Sequence, residues 1–176
     1  LYLTGAKFDE CEGGFPGVVN QLAAAPIGTE HPLDLDLNGA TALRAGDVFS
    51  RLIAGCPRLR VLHVRFCDLE ALPDELGTAC RELEELRAGG NKRLASLPAS
   101  LCTLSKLRVL NLDYNEGLTA LPPAIVQLTQ LDGALHMGED GKHHYLSLEG
   151  CMMLAVPPYH IIEDKEMEEE FVEHFG

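Results

Sequence analysis

Histidine and cysteine are the residue types here that could hold a metal. They come closest together at His136, His143, His144 and Cys151. Imidazole nitrogens and thiolates are the usual ligands of zinc, but zinc sites draw them from regular spacings such as paired cysteines a few residues apart. The spacing here matches no such frame. Cys56, His63 and Cys67 form a second cluster on paper. Alternate side chains of a strand point to opposite faces, so Cys67 is expected to turn inward and His63 outward. The six cysteines, at positions 11, 56, 67, 80, 102 and 151, include no CxxC pair. They read as small core residues. No GxxxxGK[ST] run offers a phosphate cradle, and no GxSxG elbow offers a nucleophile. Gly13-Gly14 and Gly89-Gly90 have no phosphate-loop context and read as turns. The residues therefore predict no catalytic group, no metal and no cofactor, and the chain is not expected to be an enzyme.

What positions these residues is a repeat. Leu59, Leu83, Leu107 and Leu131 follow one another at intervals of 24 residues. Each of the first three opens a similar line: Leu59 to Cys67, Leu83 to Asn91, Leu107 to Asn115. Each line ends in Leu-Pro, at Leu72-Pro73, Leu97-Pro98 and Leu121-Pro122. A period of this size signals a stacked-repeat architecture.

These lines resemble the leucine-rich repeat family, whose pattern is LxxLxLxxN/C followed by LxxLP. Asn91, Asn115 and Cys67 occupy the Asn/Cys position. The resemblance spans roughly 33–158 and is nearest the intracellular LxxLP-type repeats. It implies an α/β fold: a leucine-rich-repeat solenoid with a curved parallel β-sheet on the concave side and short helices or 3-10 turns on the convex side. One repeat cannot bury its leucines alone, so stacking builds the core. A fully buried leucine contributes roughly 1.5–3 kcal/mol.

Composition sets limits on partners. The chain has 176 residues, enough for one domain, and a net charge of −13. Phosphate contact needs clustered Lys and Arg, so nucleic acid is not an expected partner, and neither is an anionic membrane. No apolar run is long enough to predict a membrane span. The scattered cysteines, without the disulfide caps of extracellular relatives, predict an intracellular, cytoplasmic setting. Leu1 already reads as part of a repeat, so a longer parent chain is expected.

Along the chain, 1–32 reads as an irregular N-terminal repeat with an insertion. Residues 33–131 hold the regular repeats, 132–158 an irregular last one, and 159–176 an acidic C-terminal capping helix. Leu33 to Leu37 alternates apolar and acidic residues, as in a half-buried strand. Asp47 is expected to cap a helix burying Val48, Phe49, Leu52, Ile53 and Cys56. Asp140-Gly141 lies between two alternating runs and predicts a hairpin or protruding loop. The polar side chains of Asn91 and Asn115 can donate and accept, and so bridge neighbouring turns. Cys67 and Cys151 fit the same position and bond more weakly.

The resemblance places the residues between the strand leucines on the concave face, in columns. His63, Arg65, Phe66, Glu85, Arg87, Asn111, Asp113 and Tyr114 are the candidate protein-binding residues. Gly89 and Gly90 are expected to leave a hollow among them. Arg and aromatic residues are enriched at binding hot spots. The leading expectation is a scaffold that binds another protein. The alternatives are the recognition part of a multidomain ubiquitin ligase, kinase or GTPase, and a structural subunit contacting its complex through insertions at 9–31 and 133–145.

Overall fold

The computed structural model describes residues 33–44, 47–131, 136–137 and 143–154. The expected first strand at Leu1, the insertion at 9–31 and the capping helix at 159–176 lie outside them. Among the described residues, six strands follow in chain order: β1 (Leu33–Asp36), β2 (Leu59–His63), β3 (Glu85–Arg87), β4 (Val109–Asn111), β5 (His136–Met137) and β6 (His143–Ser147). The sheet order is β1-β2-β3-β4-β6-β5. The first five strands in that order pair in parallel, and β5 pairs antiparallel with β6. The fold is α/β, with few and short helices. Among them are α1 (Val48–Ala54), α2 (Glu75–Ala79) and 3-10 turns at Ala99–Thr103 and Pro123–Gln127.

The register follows the repeat. Leu35 pairs with Leu62, Leu62 with Leu86, Leu86 with Leu110, and Leu110 with Leu146. A constant interval brings equivalent leucines side by side, and Leu62, Leu86 and Leu110 are fully buried. The helices come from the other half of each line. Val48, Phe49, Leu52 and Ile53 share one face of α1 and are buried. Asp47 does precede α1, but its side chain makes no capping bond. Its carboxylate sits 3.7 Å from the Arg51 guanidinium one turn on, and that pairing replaces the cap. The three Leu-Pro lines lead into shorter segments, because proline breaks the chain after one extended residue and few residues remain before the next strand.

Cys56, Cys67, Cys80, Cys102 and Cys151 are free thiols inside the core. Burial pushes Cys80 up to about 12 and Cys56 and Cys67 to about 11. At that level they are protonated core atoms and not nucleophiles. β5 and β6 pair antiparallel, His136 with His144 and Met137 with His143; the expected turn at Asp140-Gly141 lies outside the described residues.

Candidate functional site

The exposed face of the sheet is ordered by register. Val61, Glu85, Val109 and Tyr145 stand opposite one another across β2, β3, β4 and β6. His63, Arg87, Asn111 and Ser147 form the next row. Beyond the strands, Arg65, Gly89, Asp113 and Glu149 continue the ladder through backbone bonds: Phe66 N–H donates to Gly89 O, Gly90 N–H to Asp113 O, and Tyr114 N–H to Glu149 O.

At the centre lies Glu85. His63 Nε2 donates to Glu85 Oε1 at 2.9 Å, and Arg87 Nε donates to the same oxygen. The His63 hydrogen bond, working against burial and helped by Arg87, holds the Glu85 carboxyl down at about 2, from an ordinary 4.5. The sign follows. A carboxylate with a lowered folded-state pKa stabilises the fold above its unfolded pKa, and that stability is lost as pH falls through the folded value. Glu85→Gln is therefore expected to cost on the order of 1–2 kcal/mol at neutral pH. The gap to the parent protein should close between pH 4.5 and 2, the window its two values define. Urea titrations of both proteins at stepped pH read this directly; a gap that stays constant would show that the pair contributes nothing.

Arg87 turns its guanidinium over the Tyr145 ring, 5.8 Å from the centroid. This contact joins β3 to β6 across β4, on which Val109 and Asn111 are buried. Asn111, one of the candidate protein-binding residues, is only 4% exposed and so offers a partner little surface. Its Nδ2 donates to Asp113, and it shares the interior of the face. Asp113 is tied three ways, since its carboxylate also accepts from Ser147 Oγ and from the Glu149 amide at 3.0 Å.

The outer row alternates glycine and aromatic: Gly39, Phe66, Gly90, Tyr114, Gly150. All five have positive φ. Glycine takes that conformation freely, whereas a bulky side chain there is an outlier. Phe66 and Tyr114 both sit at φ 56°. Each ring leans on the glycine of the next strand. A Cβ on Gly90 would lie 2.4 Å from the Phe66 ring, and one on Gly150 would lie 2.6 Å from the Tyr114 ring. The rings nevertheless stay open to solvent, Phe66 at 64% and Tyr114 at 51%. Tyr114 OH donates to Glu149, which raises the phenol's pKa. The expected hollow at Gly89 and Gly90 is absent: the Asn111 amide fills the space over Gly89 and Phe66 covers Gly90.

His63, Arg65, Phe66, Glu85, Arg87, Asp113 and Tyr114 thus share one face, with Asn111 beneath it. Sequence reasoning missed Tyr145, Ser147 and Glu149. They sit 36 residues beyond their counterparts Val109, Asn111 and Asp113, not 24, so the period does not flag them. The Leu146-Ser147-Leu148 run was the available signal.

The turn residues form a separate, buried set behind this face. Asn91 Oδ1 accepts from the Cys67 and Leu69 amides, and its Nδ2 donates to Val64 O and Ala88 O. Asn115 Oδ1 accepts from the Asn91 amide, and its Nδ2 donates to Ala88 O and Leu112 O. The side chains of Cys67 and Cys151 bond through sulfur, Cys67 to Leu37 O and Arg65 O at 3.1 and 3.4 Å and Cys151 to Leu112 O at 3.2 Å. Cys151 points into the core, 1% exposed. Among the described residues, no group of three His, Cys, Asp or Glu could hold a metal, and no helix is long and apolar enough to cross a membrane. No family model matches this chain, and no curated protein sequence matches it significantly.

Proposed function

We propose that the chain is a leucine-rich-repeat solenoid that binds a partner protein through the concave face of its sheet, with no chemistry of its own. Two features support the repeat reading: equivalent leucines in lateral register and asparagine side chains bonding from turn to turn. The observation that carries the binding reading is the pair Phe66 and Tyr114. Both are exposed aromatics in a backbone conformation that glycine occupies at the three equivalent positions. Holding a side chain there costs roughly 1–2 kcal/mol. Strain of this kind clusters where a protein makes contact with something else. Arg65 and Arg87 beside the rings supply the other residue type common at hot spots.

The test separates folding from binding. In the Phe66→Gly, Tyr114→Gly double variant, relief of left-handed strain offsets the added freedom of the unfolded chain and the lost ring contact. Stability should stay within about 1 kcal/mol of the parent. Partner capture, read by affinity purification and quantitative mass spectrometry, should fall at least about tenfold. Val126→Ala, on the 3-10 turn away from the sheet, should retain the same partners. Loss of the fold in the glycine variant would make the rings structural, and undiminished capture would move the binding surface elsewhere.

A further inference from the structure

The face carries opposite charges at equivalent places. Arg65-Phe66 follows β2 and Asp113-Tyr114 follows β4, with Gly89-Gly90 after β3 between them. Each half therefore presents one aromatic ring and one charge, positive on the first and negative on the second. Glu149 adds a second acid beside Tyr114. Among the described residues, Arg65 has no ion pair, whereas Glu85 already engages His63 and Arg87.

From this arrangement we infer that the occupant is a short extended segment of the partner, with an acidic residue at the Arg65 end and a basic residue at the Asp113–Glu149 end. This inference rests on the binding face proposed above and specifies its ligand. Two features of the layout select an extended segment. First, the two rings stand two strands apart, roughly 9.5 Å at ordinary strand spacing. A polyproline II chain repeats the same side every third residue, ~9.3 Å along its axis, so residues i and i+3 reach both rings together. Second, Arg65 lies on the turn of the first ring and Asp113 on that of the second, with Glu149 one strand beyond. The matching segment is an acid, an apolar residue, two spacers, a second apolar residue and a base, in one chain direction or the other.

The probes are fluorescein-labelled peptides with the cores Asp-Pro-Ala-Ala-Pro-Lys and Lys-Pro-Ala-Ala-Pro-Asp, and a control with Gln at both charged places. Fluorescence anisotropy against the whole protein reads the affinities. One charge order should bind at least about fivefold tighter than the other and than the control. Arg65→Glu and Glu149→Lys should each abolish that preference, while Phe66→Gly, Tyr114→Gly weakens both orders alike. Equal affinity for the two orders, binding by the neutral control as tight as by the better order, or no binding at about 1 mM overturns the inference. Sedimentation showing a dimer that Arg65→Glu dissolves would assign the face to a second copy and overturn it too. If partner capture responds to the glycine variant while the peptides show no charge order, only this inference falls. If capture ignores that variant, the binding face itself falls.

Discussion

Gly77→Ala is expected to destabilise the protein by about 3 kcal/mol or more. In an exposed helix the same change would be a gain, because glycine costs roughly 1 kcal/mol relative to alanine. Here the sign reverses. Gly77 lies inside α2 and is buried against the 3-10 turn at Ala99–Thr103. A Cβ at this position would sit 1.9 Å from Ser100 O and 2.1 Å from Ser100 C. Those are backbone atoms, which cannot swing aside as a side-chain tip can. The two segments would have to separate. Separation would also stretch two bonds that hold them together: Thr103 Oγ1 donates to Gly77 O at 3.0 Å, and Ser100 Oγ donates to Asp74 O at the same distance. Urea unfolding followed by circular dichroism measures the cost. A midpoint at or above that of the parent would mean that the two segments are not packed backbone to backbone.

Asn91→Ala removes four buried hydrogen bonds at once. The Cys67 and Leu69 amides lose their acceptor, at 3.0 and 3.2 Å, and Val64 O and Ala88 O lose their donor, at 2.9 and 2.7 Å. Each buried polar group left unpaired costs about 1–3 kcal/mol. The loss is partly shared, since Asn115 Nδ2 also reaches Ala88 O. The expected total is about 4 kcal/mol. The chain supplies its own comparison. Cys67 occupies the equivalent turn and donates through sulfur to Leu37 O. Asn91→Cys should therefore keep one weak donor, and its midpoint should fall between those of the parent and the alanine variant. Asn91→Asp keeps the acceptor but cannot donate, and it buries a charge; it should be as damaging as alanine. Equal midpoints for all four proteins would show that the turn is held by packing alone.

Much of this was legible from the residues in order. The interval between Leu59, Leu83 and Leu107 sets which strands are neighbours and which leucines face inward. A repeated line yields a repeated register because equal lengths of chain return to equal places. The roles of Asn91 and Asn115 could be anticipated the same way, since only an amide both gives and takes at one turn. The Leu-Pro endings foretold short outer segments.

The candidate face was legible only in part. That His63, Arg65, Phe66, Glu85, Arg87, Asp113 and Tyr114 share a surface comes from strand alternation, a property of local geometry. What each does there depends on neighbours from other lines. Asn111 is buried and donates to Asp113, and Arg87 reaches across β4 to Tyr145, which arrives out of period. The hollow closed because two side chains turned onto Gly89 and Gly90. Gly77 reads as a weak spot in a helix until Ser100 is beside it. Composition and spacing determined the strands, the core and the turn asparagines, because those follow from where apolar side chains recur along one chain. Tertiary structure alone decided which charges pair, which ring covers which glycine and which backbones touch, because those contacts join residues distant in sequence and depend on side-chain direction as well as order.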